Sequence, residues 1–192
     1  MSAIWVPRWI RYAGKLVLSP RVRQDALWEW QRRRRGMPVL PIGRIRNVLV
    51  VCHGNLCRSP FAAALLAATR IDLSVRSAGL AAAEGDPADG TALRVSRQFN
   101  VDLDDHRTQR VSSEILAWSH LILVMEGHQA EGIRRLGTAN ARKTHLLGDF
   151  LPSPPHRIED PWGQGDEVFA ATFTRIANAL EDFSRMLSPE KP

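Results

Sequence analysis

Val48-Leu49-Val50-Val51-Cys52-His53-Gly54-Asn55-Leu56-Cys57-Arg58-Ser59-Pro60 is the stretch that decides the architecture of this chain. A four-residue apolar run stops at a cysteine. A small polar loop follows, then an arginine, a Ser-Pro pair and an alanine-rich segment. A short, continuous apolar run bounded by turn residues reads as a strand buried on both faces. The stretch is therefore a strand, an anion-cradling loop and a helix.

The same alternation continues outward from it. Ser59–Thr69 reads as a helix rich in alanine and leucine, and Leu73–Ser77 as a second strand ending at Ala78-Gly79. Thr91–Phe99 is expected to be helical, with Leu93, Val95 and Phe99 facing inward. A short helix starts at Ser112-Ser113-Glu114. His120–Met125 is a third strand, and a helix follows near Gln129–Leu136. Thr144–Leu147 is a weaker fourth strand. Pro152–Gly165 is a long proline-bearing loop, and Asp166–Leu187 a closing helix with Phe169, Phe173, Ile176, Leu180 and Phe183 near one face. Strands alternating with helices predict an α/β fold: a three-layer α/β/α sandwich around a four-stranded parallel sheet. In such sheets ligands sit beyond the carboxyl ends of the strands, which is where Cys52 lies.

The first 45 residues differ. Residues 1–46 hold eleven Lys/Arg against two Asp/Glu, whereas residues 47–192 hold fifteen against eighteen. The overall charge of +6 thus belongs to a basic, Trp-rich N-terminal extension, residues 1–45, and not to the globular part, residues 46–188. A mildly acidic body argues against a nucleic-acid-binding domain. Within the extension, Ser19-Pro20 is a helix-start signal. Val22, Ala26, Leu27 and Trp30 recur at helical spacing, Arg32–Arg35 and Gly36 end the segment, and Met37–Gly43 reads as an extended linker. Trp5, Trp9, Trp28 and Trp30 suit packing on the body, on a second copy of the chain, or on an anionic membrane surface. Deletion of residues 1–45 is expected to spare turnover of small substrates.

No apolar run reaches the roughly 20 residues that span a bilayer. Met1–Leu18 is interrupted by Arg8, Arg11 and Lys15, unlike an export signal. The two cysteines, Cys52 and Cys57, both lie in the loop and form no disulfide framework, so a reducing cytoplasm is expected. No Cys/His grouping has zinc spacing. A cytoplasmic protein, peripheral to the inner membrane face if its extension binds lipid, fits these features.

The loop has the chemistry of a phosphate site. Successive backbone N–H groups form a nest for an anion, and the start of the next helix adds about half a positive charge. Gly54 permits a left-handed turn and Asn55 tolerates one. Arg58 can grip two phosphate oxygens in a fork. The same field favours a thiolate at Cys52, because helix N-termini and adjacent cations lower thiol pKa values by one to several units. Ser59 can donate a hydrogen bond to that sulfur. A thiolate there can attack phosphorus and form a phosphocysteine. The leaving oxygen then needs an acid from elsewhere. Two Asp-Pro pairs offer one, Asp86-Pro87 and Asp160-Pro161, and the long loop after the fourth strand favours Asp160.

With these residues in view, the chain resembles the low-molecular-weight protein tyrosine phosphatases. The matching residues are Val51 to Pro60, Ser77-Ala78-Gly79, His106-Arg107 and Asp160-Pro161-Trp162. The resemblance spans about residues 46–188 and implies the flavodoxin-like, phosphotyrosine phosphatase I type of sandwich. It implies Cys52 as nucleophile, Arg58 as phosphate binder and Asp160 as general acid/base. It implies that His53, Gly54, Asn55, Leu56, Cys57 and Arg58 form the phosphate-binding loop, shaped by a network of Asn55, Ser59, Ser77 and His106. Cys57 would trap oxidised Cys52 as a disulfide. No metal or cofactor is implied. The substrate would be a tyrosine-phosphorylated protein, with a bacterial tyrosine kinase as one such partner. The segment Leu80-Ala81-Ala82-Ala83-Glu84 has no aromatic wall, so His53 and Trp162 are left to form the substrate rim. Arsenate reductases of the same fold need further cysteines, which are absent after Cys57. Phosphoarginine phosphatases of the same fold tend to carry threonine at the position of Leu56, so leucine favours the tyrosine type by one residue. The alternatives are a phosphoarginine phosphatase of this fold and a non-catalytic phosphate-binding module.

Overall fold

The computed structural model describes residues 19–36, 40 and 45–187. Helix α1 (Pro20–Arg35) comes first. Strand β1 (Asn47–Cys52), helix α2 (Arg58–Thr69), strand β2 (Ser74–Gly79) and helix α3 (Gly90–Ser96) follow. After them come helix α4 (Ser113–Trp118), strand β3 (Leu121–Val124), helices α5 (Gly127–Arg135) and α6 (Thr138–Ala141), strand β4 (Thr144–Leu146) and helix α7 (Asp166–Leu187).

The four strands form one parallel sheet in the order β2-β1-β3-β4. β1 is flanked on both sides, and alternate residues of it enter two separate cores. Val48, Val50 and Cys52 face the core under α2 and α7, and Leu49 and Val51 face the core under α4 and α5. A strand with two covered faces must be apolar throughout, which explains its unbroken run. In the larger core Phe61 of α2 stacks on Phe173 of α7 with centroids 3.9 Å apart. The five residues expected on the inner face of α7 are all buried.

Helix boundaries follow local chemistry. Asp89 caps α3 by accepting from the N–H groups of Thr91 and Ala92, and Ser112 caps α4 by accepting from Ile115. The helix expected over Thr91–Phe99 is α-helical only to Ser96. Arg97–Phe99 tighten into a 3-10 turn, and Asn100 closes it in the left-handed conformation.

Helix α1 begins at Pro20 and ends at Gly36, as its punctuation predicts. It lies on the body beside α5, not away from it. Trp28 joins the second core and donates Nε1–H to Asp149 Oδ2 at 3.2 Å, while Trp30 is exposed under Arg34. The arginine run is not uniformly solvated: Arg32 turns inward, donating to the Asp149 carbonyl at 2.8 Å. At the start of α5, Gly127 lies so close to α1 that a Cβ there would meet Trp28 Cβ at 2.8 Å. Trp5, Trp9 and, apart from Leu40, the Met37–Gly43 linker lie outside the described residues. Among the described residues no helix is long and apolar enough to cross a membrane.

Candidate active site

Cys52 ends β1 at the carboxyl edge of the sheet, paired in register with Gly79 of β2. A Cβ on Gly79 would lie 2.7 Å from the His53 carbonyl oxygen and 2.9 Å from Asn55 N. Glycine is therefore required for β2 to let the loop curl over its end.

The loop turns at Asn55, whose φ is 58°; Gly54, the residue expected to supply the left-handed turn, does not adopt one. The reason lies in the asparagine side chain, which is fully buried and bonded on both ends. Its Nδ2 donates to Ser59 Oγ and to Ser77 Oγ, each at 2.9 Å, and its Oδ1 accepts from Gln109 N–H at 3.0 Å. Those bonds hold a backbone conformation that costs a non-glycine residue about 1–2 kcal/mol. His106 adds a fourth tie, with Nε2 2.8 Å from the Asn55 carbonyl. A carbonyl only accepts, so Nε2 carries the proton. Burial lowers the His106 pKa, which keeps the ring neutral in that role. All four residues expected in the supporting network are thus joined to one another.

The same residues reach the sulfur. Asn55 N–H points at Cys52 Sγ from 3.3 Å, and Ser59 Oγ lies 3.0 Å from it. The first contact has only one possible direction and donates to sulfur. Cys57 is buried a few residues on, and burial pushes its thiol far above the ordinary range, so it stays protonated. His53 stands half-exposed at the mouth. Burial lowers its pKa, and Arg21 of α1 acts in the same direction.

Arg58 opens α2 and is 1% exposed. Its Nη1 donates to Glu126 Oε2 at 2.7 Å and to the Ile158 carbonyl at 2.9 Å, and its Nη2 meets Asp160 Oδ2 at 2.5 Å. Burial works against the charge, but Cys52, Glu126 and Asp160 outweigh it and hold the guanidinium above its ordinary value. Nε of Arg58 is buried without a partner. Nε and Nη2 share one edge of the guanidinium, the edge that takes two oxygens of an oxyanion at once.

Asp160 therefore does come to the loop from the long segment after β4, as expected, with its side chain 43% exposed. Trp162 N–H donates to Asp160 Oδ1 at 3.3 Å, and the indole projects into solvent beside it. Asp86, the other Asp-Pro aspartate, sits in a turn closed by Thr108. Glu126, Gln109 and Gln129 belong to the site and were not anticipated. Gln129 supports Glu126, donating Nε2–H to Oε2 at 3.1 Å. Glu126 had one readable signal: it lies two residues past the end of β3, at the carboxyl edge of the sheet.

Among the described residues, Asp25, Glu126 and His128 are close enough to share a cation. Each is already engaged, however. Asp25 Oδ1 accepts the His128 N–H at 2.9 Å, and Glu126 faces the Arg58 guanidinium, which repels a metal ion.

The sequence pattern of the low molecular weight phosphotyrosine protein phosphatases matches residues 47–192. Among relatives, the probable low molecular weight protein-tyrosine-phosphatase EpsP of Ralstonia nicotianae is 40% identical over 137 residues, which are 71% of this chain and 92% of EpsP. AmsI of Erwinia amylovora, similarly described, is 35% identical over 75% of this chain and 99% of its own length. The crystal structure of AmsI superimposes with a TM-score of 0.74, covering 80% of this chain and 99% of AmsI. The YwlE arginine phosphatase of Geobacillus stearothermophilus shares the fold at a TM-score of 0.70 and 31% identity, covering 74% of this chain and 92% of YwlE. A buried arginine over a cysteine-bearing loop, on this sheet and with these relatives, identifies the chain as a member of the low molecular weight phosphotyrosine protein phosphatase family, a hydrolase of bacterial type.

Proposed function

We propose that Cys52, Arg58 and Asp160 carry out the hydrolysis of phosphotyrosine on proteins. Arg58 and the N–H groups of residues 53–58 bind the phosphoryl oxygens. Cys52 Sγ attacks phosphorus opposite the tyrosyl oxygen; the S–P bond forms, the P–O bond breaks, and Asp160 gives its proton to the phenolate. In the second step Asp160 takes a proton from water, the oxygen attacks phosphorus, and the S–P bond breaks to release inorganic phosphate.

One observation carries this reading: a sulfur that receives a backbone N–H and lies 3.0 Å from a serine hydroxyl, beside a fully buried arginine whose Nε is unpartnered and whose Nη2 is held only by a part-exposed carboxylate. Phosphate and Asp160 compete for the same Nη2. Substrate binding therefore releases the carboxyl from Arg58 and leaves it facing the leaving oxygen. His53 and Trp162 form the rim that meets the aryl group. Phosphotyrosine is favoured over phosphoarginine because AmsI lies nearer than YwlE in both identity and superposition. A tyrosine-phosphorylated protein, with a bacterial tyrosine kinase as one such partner, is what this assignment suggests, in the cytoplasm. The division at residue 46 separates the family domain from the added segment.

The deciding assay is release of p-nitrophenol from p-nitrophenyl phosphate with no metal added, in the parent and in Cys52→Ser. Turnover that depends on Cys52, and a preference for phosphotyrosine over phosphoarginine and alkyl phosphates, is the expected result. An inactive parent would instead mark a phosphate-binding module, and an active Cys52→Ser would remove the mechanism.

A further inference from the structure

The relatives are matched over nearly their whole length, yet a quarter of this chain lies outside the match. Helix α1 belongs to that added part, and it contacts the body at polar points that adjoin the site. Asp25 Oδ1 accepts the His128 N–H at the start of α5, two residues after Glu126, the carboxylate that holds Arg58. Trp28 and Arg32 meet Asp149, which is 4% exposed. Glu29 takes both bonds offered by His156: the backbone N–H at 2.9 Å and Nδ1 at 3.0 Å.

His156 is itself 5% exposed and lies four residues before Asp160. Between them, Ile158 is anchored twice, its N–H to the Met125 carbonyl at 2.8 Å and its carbonyl to Arg58 Nη1 at 2.9 Å. The segment carrying Asp160 is thus pinned at Ile158 by the body and at His156 by α1. Burial would raise the Glu29 carboxyl. The hydrogen bonds from His156, with Arg33 nearby, outweigh it and hold Glu29 below its ordinary value, so an anion faces His156 at neutral pH. Asp25, Glu29 and Arg32 stand at i, i+4 and i+7 on α1, one face of a helix. Apart from Trp28, the face that meets the body is therefore polar, and its partners include the two segments that converge on Arg58.

We propose that α1 is a clasp for the active site, in which Glu29 is a positioning residue that sets the Asp160 segment through His156. This rests on the assignment of Asp160 as general acid. It restricts the expectation that the extension is dispensable for small substrates to those with good leaving groups. A misplaced acid harms a substrate in proportion to its need for a proton. Phenyl phosphate, with a poor leaving group, needs one; p-nitrophenyl phosphate, with a good leaving group, needs it far less.

The test uses the full-length chain and the ratio of kcat/KM for these two substrates. In Glu29→Ala, kcat/KM for phenyl phosphate is expected to fall about 10-fold while that for p-nitrophenyl phosphate changes less than about 2-fold. Glu29→Gln, which keeps an acceptor for the His156 N–H, is expected to recover at least half of the loss on a logarithmic scale. Thermal unfolding of each variant shows that the protein is folded at the assay temperature. An equal fall on both substrates, or an unchanged ratio in folded Glu29→Ala and Glu29→Gln, overturns the proposal. A parent chain inactive on both substrates, or a ratio unmoved by Asp160→Asn, defeats the functional assignment and not the clasp alone.

Discussion

Asn55→Ala removes more from this protein than one polar side chain. Three side-chain hydrogen bonds disappear: two donated to Ser59 and Ser77, and one accepted from Gln109 N–H. A typical intramolecular bond is worth about 1 kcal/mol net, so the three come to about 3 kcal/mol. Residue 55 must also keep a φ of 58°. Alanine lacks the local bonding that lets asparagine tolerate it, adding about 1 kcal/mol. A total near 4 kcal/mol corresponds to a fall in Tm of about 8–16 °C, at about 2–4 °C per kcal/mol for a chain of this size. Activity should suffer more than stability. Asn55 N–H is a donor to Cys52 Sγ, and Ser59, another neighbour of that sulfur, loses its own support. Displacement of a reacting group by about 1 Å costs on the order of 100-fold. The assay pairs thermal unfolding with p-nitrophenyl phosphate turnover at a temperature well below both transitions. A Tm within about 3 °C of the parent and kcat/KM within about 3-fold would falsify the claim that this side chain sculpts the loop.

Three further outcomes are expected. Asp160→Asn should slow phosphoenzyme formation by about 100- to 10,000-fold for phenyl phosphate, with a smaller loss for p-nitrophenyl phosphate, as rapid-mixing kinetics can measure. Gly79→Ala forces a methyl group against the His53 carbonyl and Asn55 N, so loss of most turnover should accompany a lowered Tm; a fully active protein would mean that the loop does not rest on β2. Burial raises the Asp149 carboxyl from 3.8 to about 6, even though Trp28 and Arg32 favour its anion. The folded state then holds this proton more tightly than the unfolded chain, so the contribution to stability is complete below about pH 4 and is lost as pH rises through about 6. Two pKa units correspond to roughly 3 kcal/mol at most. Asp149→Asn should flatten the denaturant-measured stability across that window, and an unchanged slope there would assign it to another group.

Legibility in the sequence followed how each residue is held. All four strands were readable to within a residue or two: the edge strands β2 and β4, which are more polar, from their place between helical segments and turn residues, and β1 and β3 because strands buried on both faces must be apolar. The inner face of α7 was readable for the same reason, as phenylalanines at helical spacing. Cys52, Arg58 and Ser59 could be placed from the loop itself and Asp160 from the long Asp-Pro loop after β4, whereas Ser77 and His106 came from resemblance. Gln109 and Glu126 lie outside helices and strands, where no periodicity marks an inward-facing polar residue, so only the folded chain reveals them. Helix α1 misled in a specific way. Its spacing of Val22, Ala26, Leu27 and Trp30 suggested an apolar seam, but Leu27 and Trp30 are exposed, and Asp25, Trp28, Glu29 and Arg32 meet the body. A helix that docks through hydrogen bonds to buried groups inverts the pattern by which docking faces are recognised.

Arg58 explains why polar partners accumulate at this site. Removing a guanidinium from water costs several kcal/mol, which an unpaired charge could not withstand. Glu126 offsets that cost permanently, because its oxygen is held by Gln129 as well as by Nη1. Asp160 offsets it conditionally, because it is part-exposed and rides on a long segment. The two carboxylates therefore have different duties, although both touch the same cation. The fixed one keeps Arg58 charged and aimed when no phosphate is near. In the proposed mechanism the part-exposed one yields Nη2 to an incoming oxyanion, and in doing so is freed at the place where a proton is needed. An arginine held by two fixed carboxylates would bind phosphate poorly, and one held by none would not stay buried. This proposed division of labour also requires that the Asp160 side chain return to one position after each turnover, a requirement that the bonds fixing its segment at Ile158 and His156 meet.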